Sequence, residues 1–208
     1  MPLKQLINMV ITDNYKKHTS KNFVQRFLIG NFEKTLAKQV QKLNISSILD
    51  AGAGEGFTLE YLRKRNIGKT YEGIDFLEKA IEIGTKIHPN ITFKKGSIYE
   101  MPYKENSFDL VLSTEVLEHL EDPKIALKEI FRVSKKYVLL SVPNEPIFML
   151  SNFLRGKNWS RFGNDIEHIN HWTFFGFEKF VKENAGINVK IISLKYPFPW
   201  TLLLSEKQ

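Results

Sequence analysis

The stretch Ile48-Leu49-Asp50-Ala51-Gly52-Ala53-Gly54-Glu55-Gly56 decides how this chain is read. An apolar run from Ile45 stops at a carboxylate and meets three alternate glycines, the pattern of a buried strand entering a tight turn. Glycine lets the backbone turn sharply and approach a ligand closely. The helix that follows, over Thr58-Leu59-Glu60-Tyr61-Leu62-Arg63-Lys64, presents unpaired N–H groups at its start. Taken alone, the motif also fits a plain strand–helix turn.

Asp75 narrows the choice. It ends the next strand, Thr70-Tyr71-Glu72-Gly73-Ile74-Asp75, about 20 residues past the glycines, where a carboxylate suits two ribose hydroxyls. A dinucleotide site prefers G-x-G-x-x-G and a helix end free of carboxylate charge. Here the pattern is G-x-G-x-G with Asp50 just before it. Asp50 would repel a pyrophosphate and attract the cationic amino-acid end of S-adenosylmethionine.

Outward from the loop, strands and helices alternate. A helix over about 21–44 carries Phe23, Phe27, Phe32, Leu36, Val40 and Leu43 at helical spacing. A second helix follows Leu77, with a third strand over Ile91–Lys95, a fourth over Ser107–Ser113, a helix opened by Asp122-Pro123, and a fully apolar fifth strand over Tyr137–Pro143. This order predicts an α/β fold: a doubly wound, mostly parallel, seven-stranded Rossmann-like sheet with an antiparallel edge strand. After Pro143 about 30 residues break the rhythm, and residues 144–173 read as a lid insertion. A helix near Phe175–Asn184 and a strand from Val189 close the domain. The division expected is an N-terminal helical flap over 1–44, in which Tyr15, His18 and Asn22 close over the cofactor, and a catalytic domain over 45–208. The apolar Phe198–Leu204 run packs on the lid, forms a dimer contact or touches a membrane.

With these pieces in place, the chain resembles the class I S-adenosylmethionine-dependent methyltransferases. The resemblance is carried by Leu49–Gly56, Glu72-Gly73-Ile74-Asp75, Phe108–Ser113, Glu115-Val116-Leu117-Glu118-His119-Leu120-Glu121-Asp122-Pro123 and Ser141-Val142-Pro143-Asn144. It implies S-adenosylmethionine as cofactor and S-adenosylhomocysteine as product. It places Asp50, Ala51, Gly52 and Gly54 around the methionine moiety, Asp75 on the ribose and Phe76 against adenine. Ser97 and Ile98 would border the adenine edge, and Ser113 and Thr114 the sulfonium. Many relatives carry Asp where this chain has Ser97, so that contact would be an uncharged hydroxyl.

For the acceptor, Glu115, Glu118 and His119 follow the fourth strand, and Glu167-His168-Ile169-Asn170-His171-Trp172-Thr173 resembles a His-rich segment of many relatives. If 114–120 is helical, Glu115 and His119 share a face. Three readings stay open. Glu115, His119, His168 and His171 form the catalytic set, a His acting as general base for an O or N acceptor. Or Glu115, Glu118, His119 and His168 hold a divalent metal, an arrangement resembling the small-RNA 3′-terminal 2′-O-methyltransferases, although Trp172 follows His171 too soon for that pattern. Or these residues tie the lid to the sheet. Arg155, Lys157 and Arg161 are expected to meet an anionic acceptor, and Trp159, Phe162 and Trp172 to line a pocket.

Composition closes other routes. The 208 residues contain no cysteine, which excludes disulfides, thiolate metal sites, a Cys nucleophile and a cysteine-held iron–sulfur cluster. No apolar run reaches the roughly 20 residues that span a bilayer, and the start lacks a signal-peptide pattern, so a cytoplasmic location is expected. Thirty Lys and Arg against 23 Asp and Glu leave +7, which favours anionic partners. The expected acceptor is a small molecule or glycan-linked group. Nucleic acid (RNA) is the rival acceptor, and a non-catalytic binder is the second rival. A monomer or homodimer is expected.

Overall fold

The structure, a computed structural model, describes residues 12–145, 147–154, 156, 162, 165 and 167–208. Arg155, Lys157, Trp159 and Arg161, expected in the lid, lie outside the described residues.

Seven strands form one sheet: β1 (Ser47–Ala51), β2 (Thr70–Asp75), β3 (Thr92–Lys95), β4 (Phe108–Thr114), β5 (Ser134–Pro143), β6 (Val189–Lys195) and β7 (Trp200–Lys207), in the order β3-β2-β1-β4-β5-β7-β6. The first five are parallel. β7 runs against both neighbours, between β5 and the edge strand β6. The apolar run Phe198–Leu204, expected to pack on the lid, form a dimer contact or touch a membrane, enters an inner strand from Trp200 onward. Its Leu202, Leu203 and Leu204 are buried because both faces of the sheet are covered there.

The helices are α1 (Asp13–Thr19), α2 (Phe23–Val40), α3 (Phe57–Arg63), α4 (Glu78–Ile87), α5 (Pro123–Val133), α6 (Ile147–Leu154) and α7 (Phe174–Asn184). Alternating strand residues feed two cores. Leu110, Leu112 and Leu139 meet Phe32, Leu36 and Val40 of α2 and Leu59 and Leu62 of α3. Val111, Val138 and Leu140 meet Leu127, Ile130 and Phe131 of α5 and Phe177 and Val181 of α7. Each such Leu or Phe taken out of water contributes about 1.5–3 kcal/mol.

Helix starts follow local chemistry. Asn22 accepts from Gln25 N (3.0 Å) and Thr173 from Gly176 N (3.1 Å), capping α2 and α7. Pro123 sits in the first turn of α5, where its missing N–H costs nothing. Asn22, expected in the flap, is thus occupied as a helix cap.

One local expectation fails. Residues 114–120 are not an α-helix: only Leu117–His119 form a single 3-10 turn, between a left-handed Glu115 (φ 60°) and an extended Leu120. Glu115 and His119 therefore do not share a helical face.

Candidate active site

β2, β1 and β4 are adjacent and parallel, so their carboxyl ends lie side by side, where an open α/β sheet forms its ligand crevice. Beyond β1 the chain turns through Gly52 (φ 87°) and Gly54 (φ 53°), left-handed conformations that disfavour any side chain. A Cβ on Gly52 would stand 2.4 Å from Val116 Cγ2, and one on Gly54 2.7 Å from Asn14 Nδ2. The amides of Gly52 and Ala53 both donate to Ile74 O (2.8 and 3.1 Å), tying the loop to β2.

Asp75 accepts from Gly54 N (2.8 Å) and Leu77 N (2.9 Å), one bond on each oxygen. Each oxygen keeps acceptor capacity, which suits a pair of hydroxyl donors. Asp50 is buried at the end of β1, and its Oδ1 has no partner. Burial first, and the Asp75 charge second, push its carboxyl up to about 7. Two facing carboxylates around a cradle of left-handed glycines make a seat for a cation that also carries hydroxyls. Phe76, 71% exposed, stands at the rim next to Asp75. Gly96 N donates to Asp75 O (2.9 Å), which brings Ser97 and Ile98 alongside. The Ser97 hydroxyl accepts from Tyr99 N (3.1 Å). Ala51 is fully buried, and Ser113 Oγ donates to its carbonyl (2.9 Å), so this hydroxyl is spent on joining β4 to β1 below the crevice. Thr114 ends β4, half-buried beside it.

α1 lies over this loop. Thr12 and Asn14 both donate to the buried carboxylate of Glu55, the Asn14 bond at 2.5 Å. The His18 ring stacks on Phe57 (4.5 Å between centroids, 6° between planes), and burial, then Lys17, drives its imidazole down to about 3. Tyr15 sits 6.0 Å from the same ring. Lys17 Nζ lies 5.2 Å over Trp200 and close enough to Glu115 and Glu118 to favour their charged forms.

Beyond β4 a polar cluster gathers. Glu115 accepts from Ser141 Oγ (2.9 Å), and burial raises its carboxyl. Glu118 is buried with neither oxygen bonded; burial, then the Glu115 charge, raises it well above the carboxylate range. His119 is half-exposed, with Nδ1 2.9 Å from Glu167 O and Nε2 3.9 Å from Glu118 Oε1. Burial lowers its imidazole below the usual range, so it is neutral near pH 7. The buried His168 packs edge-on against His119 at 5.0 Å. One ligand atom from each of Glu118, His119 and His168 lies within 4.8 Å of the others. The two chain segments meet because Ile169 N and Asn170 N donate to Glu118 O (2.9 and 3.0 Å), while Asn170 Nδ2 donates to Leu117 O (3.2 Å) and Leu120 O (2.6 Å). The tie between lid and sheet is thus made by Asn170, by backbone and by the His119 ring on Glu167 O, while His119 Nε2 and the His168 ring take no part in it.

Glu145 was not singled out from sequence. It is buried, with Oε1 unbonded and lying 3.6 Å from His168 Nδ1 and 3.9 Å from His171 Nδ1. Its placement just past an apolar strand ending in Pro143 was the available signal. Among the described residues, His171 reaches the cluster through Glu145 and turns partly outward. Trp172, half-buried, packs on Phe177 and Phe180 at the margin of the core and lines a surface pocket with Asn170 and His171, while Phe162 is exposed.

Residues 49–141 match the family model described as a methyltransferase domain. An uncharacterized methyltransferase of Schizosaccharomyces pombe is 34% identical over 111 residues, 48% of this chain and 39% of that protein. A demethylmenaquinone methyltransferase of Staphylococcus aureus is 29% identical over 214 residues, 91% of this chain and 88% of that protein. The chain spans less than half the length of the first curated relatives it matches. Among solved structures, an S-adenosylmethionine-dependent methyltransferase from Aquifex aeolicus superposes with a TM-score of 0.67 at 18% identity, covering 95% of this chain and 100% of that one.

Proposed function

We propose that this chain, which belongs to the class I S-adenosylmethionine-dependent methyltransferases, transfers a methyl group to an oxygen or nitrogen of a small-molecule or glycan-linked acceptor. The observation that carries the cofactor half is the unpaired, buried Asp50 oxygen beside Asp75 and two left-handed glycines. Asp50 balances the cationic amino-acid end, Asp75 takes the ribose hydroxyls, and Phe76, Ser97 and Ile98 border the adenine. When bound, S-adenosylmethionine supplies a sulfonium methyl and leaves as S-adenosylhomocysteine. α1, held on Glu55 and Phe57, acts as a flap that excludes water from the crevice.

The acceptor half rests on the neutral His119, whose Nε2 lies 3.9 Å from Glu118, a carboxyl whose charged form burial disfavours. A neutral imidazole, which keeps one ring nitrogen unprotonated near pH 7, accepts a proton there from an acceptor hydroxyl or ammonium. His119→Ala is expected to slow S-adenosylhomocysteine release roughly 100-fold while calorimetry finds cofactor affinity unchanged. Because its pKa is lowered, the acid limb of the wild-type rate should fall below the ordinary imidazole range. A wild-type rate in the variant removes His119 from the chemistry. The acceptor class is read from extract incubated with labelled cofactor: label in small molecules or glycans is expected, and label in RNA moves the reading to the nucleic-acid rival.

A second reading has its own support in the spacing of Glu118, His119 and His168, which suits one divalent cation. Turnover in EDTA separates the two. Unchanged turnover fits the base, whereas loss restored by Mn²⁺ fits the metal.

A further inference from the structure

The strand ends that carry the site also carry the exposed apolar side chains of the molecule's β5–β7–β6 half. β7 starts at Trp200 opposite Pro143, the last residue of β5, so the connection between β6 and β7 lies at the site end of the sheet. Its Tyr196 and Phe198 are exposed and lie edge-on at 6.0 Å. Phe174 meets Tyr196 at 6.2 Å, which sets the start of α7 against this connection, with Phe175 pointing outward, 74% exposed. On the other face of the sheet, Phe32 packs on Trp200 (5.3 Å) and Gln39 bonds Ser193 lower down, so α2 descends from this end. The α2 residues before Phe32 thus project past the sheet. Phe23 (80% exposed), Val24 and Phe27 share a helical face there. α6 follows β5 at the same end and exposes Leu150 and Leu154.

The charge of these segments is one-sided. Residues 14–32 and 185–205 contain no Asp or Glu, and exposed Lys21, Arg26 and Lys195 stand among them; the nearby acids are Glu33, Asp165, Glu167 and Glu178. Elsewhere acids and bases are interspersed. Large apolar side chains on α2 and the β6–β7 connection, set among cations in segments that carry no acid of their own, suit the interface of an anionic bilayer, where rings and aliphatic chains enter the acyl boundary and the cations meet head-group phosphates. A second copy of the chain fits poorly, since a two-fold contact would set like charges face to face. Single-stranded RNA would use the rings and the cations but leave Val24, Leu150 and Leu154 without a role.

We propose that this end of the molecule docks on an anionic lipid surface. The docking is independent of the transferase reading; only the corollary rests on that reading, namely that the acceptor approaches the crevice from the bilayer.

Co-sedimentation of the full chain with phosphatidylcholine vesicles, with and without phosphatidylglycerol, tests it. Binding to the anionic vesicles is expected, weakening with salt. Phe23→Ser/Phe27→Ser and Phe175→Ser/Phe198→Ser should each reduce it roughly tenfold or more, because each removes two rings from the acyl boundary. Calorimetry with S-adenosylmethionine, run on every variant, reports the crevice separately, so a failed cofactor site and a failed docking face give different results. Absence of binding to either vesicle overturns the proposal. So does binding that salt abolishes but neither double variant weakens, which is charge adsorption alone. A dimer converted to monomer by these variants, or RNA binding lost with them while vesicles stay unbound, gives the face to another occupant and also overturns it.

Discussion

Asp50 shows how one side chain sets a measurable property of the crevice. Its carboxyl is pushed up to about 7 by burial and by Asp75. A cation seated on its unpaired oxygen would reverse the second effect and favour the charged form, so binding of S-adenosylmethionine there is expected to release a proton near neutrality. Affinity should therefore rise as pH climbs from about 6 to about 8 and then level, the proton release appearing as a buffer-dependent heat in calorimetry. Asp50→Asn should flatten the profile and weaken binding at pH 8; a pH-independent wild-type affinity would sink the role. Asp50, Asp75 and the glycines were legible in sequence because they act through neighbours only a loop away. Glu145 was not legible, since its meaning comes from imidazoles more than 20 residues downstream. The i,i+4 reading of Glu115 and His119 failed for a related reason. The backbone is reversed at Glu115, whose amide donates to Ser141 O on β5 (3.1 Å), and such a bond is invisible in the local pattern.

At the scale of elements, legibility followed length and burial. The parallel strands announced themselves as apolar runs separated by amphipathic helices. α1 did not, because seven residues are too few to display a period. β7 did not either: buried on both faces, it shows no alternation. The union of the 3-10 turn with the segment before α7 rests on Asn170, whose amide closes on Leu117 O and Leu120 O. Asn170→Ala removes two hydrogen bonds worth about 1 kcal/mol each, so the amides of Ile169 and Asn170 should exchange roughly tenfold to thirtyfold faster. Cofactor affinity should hold, because none of these groups lines the glycine loop. Equal exchange rates in the two proteins would show that the bonds to Glu118 O and the His119–Glu167 contact keep the segment in place without Asn170.

For the whole molecule, the crevice joins elements from both ends of the sequence: α1 over the loop of β1, β2 beside it, and Trp200 of β7 beneath Lys17. A ligand that settles there is bonded to parts that separate on unfolding, and none of that geometry survives in the unfolded chain. Its binding free energy then adds to the stability of the fold as mass action requires. At about 100 times its dissociation constant, S-adenosylmethionine should stabilise the protein by about 2.7 kcal/mol, which for a chain of this size raises the melting midpoint by roughly 5–10 °C. NAD at the same concentration should leave the midpoint where it was, because its pyrophosphate would meet the carboxylate of Asp50 instead of a bare helix end. Scanning calorimetry with each compound decides this without any knowledge of the acceptor. A shift with NAD and none with S-adenosylmethionine would mean that the paired carboxylates do not select a cation, and the reading of the crevice would have to be abandoned.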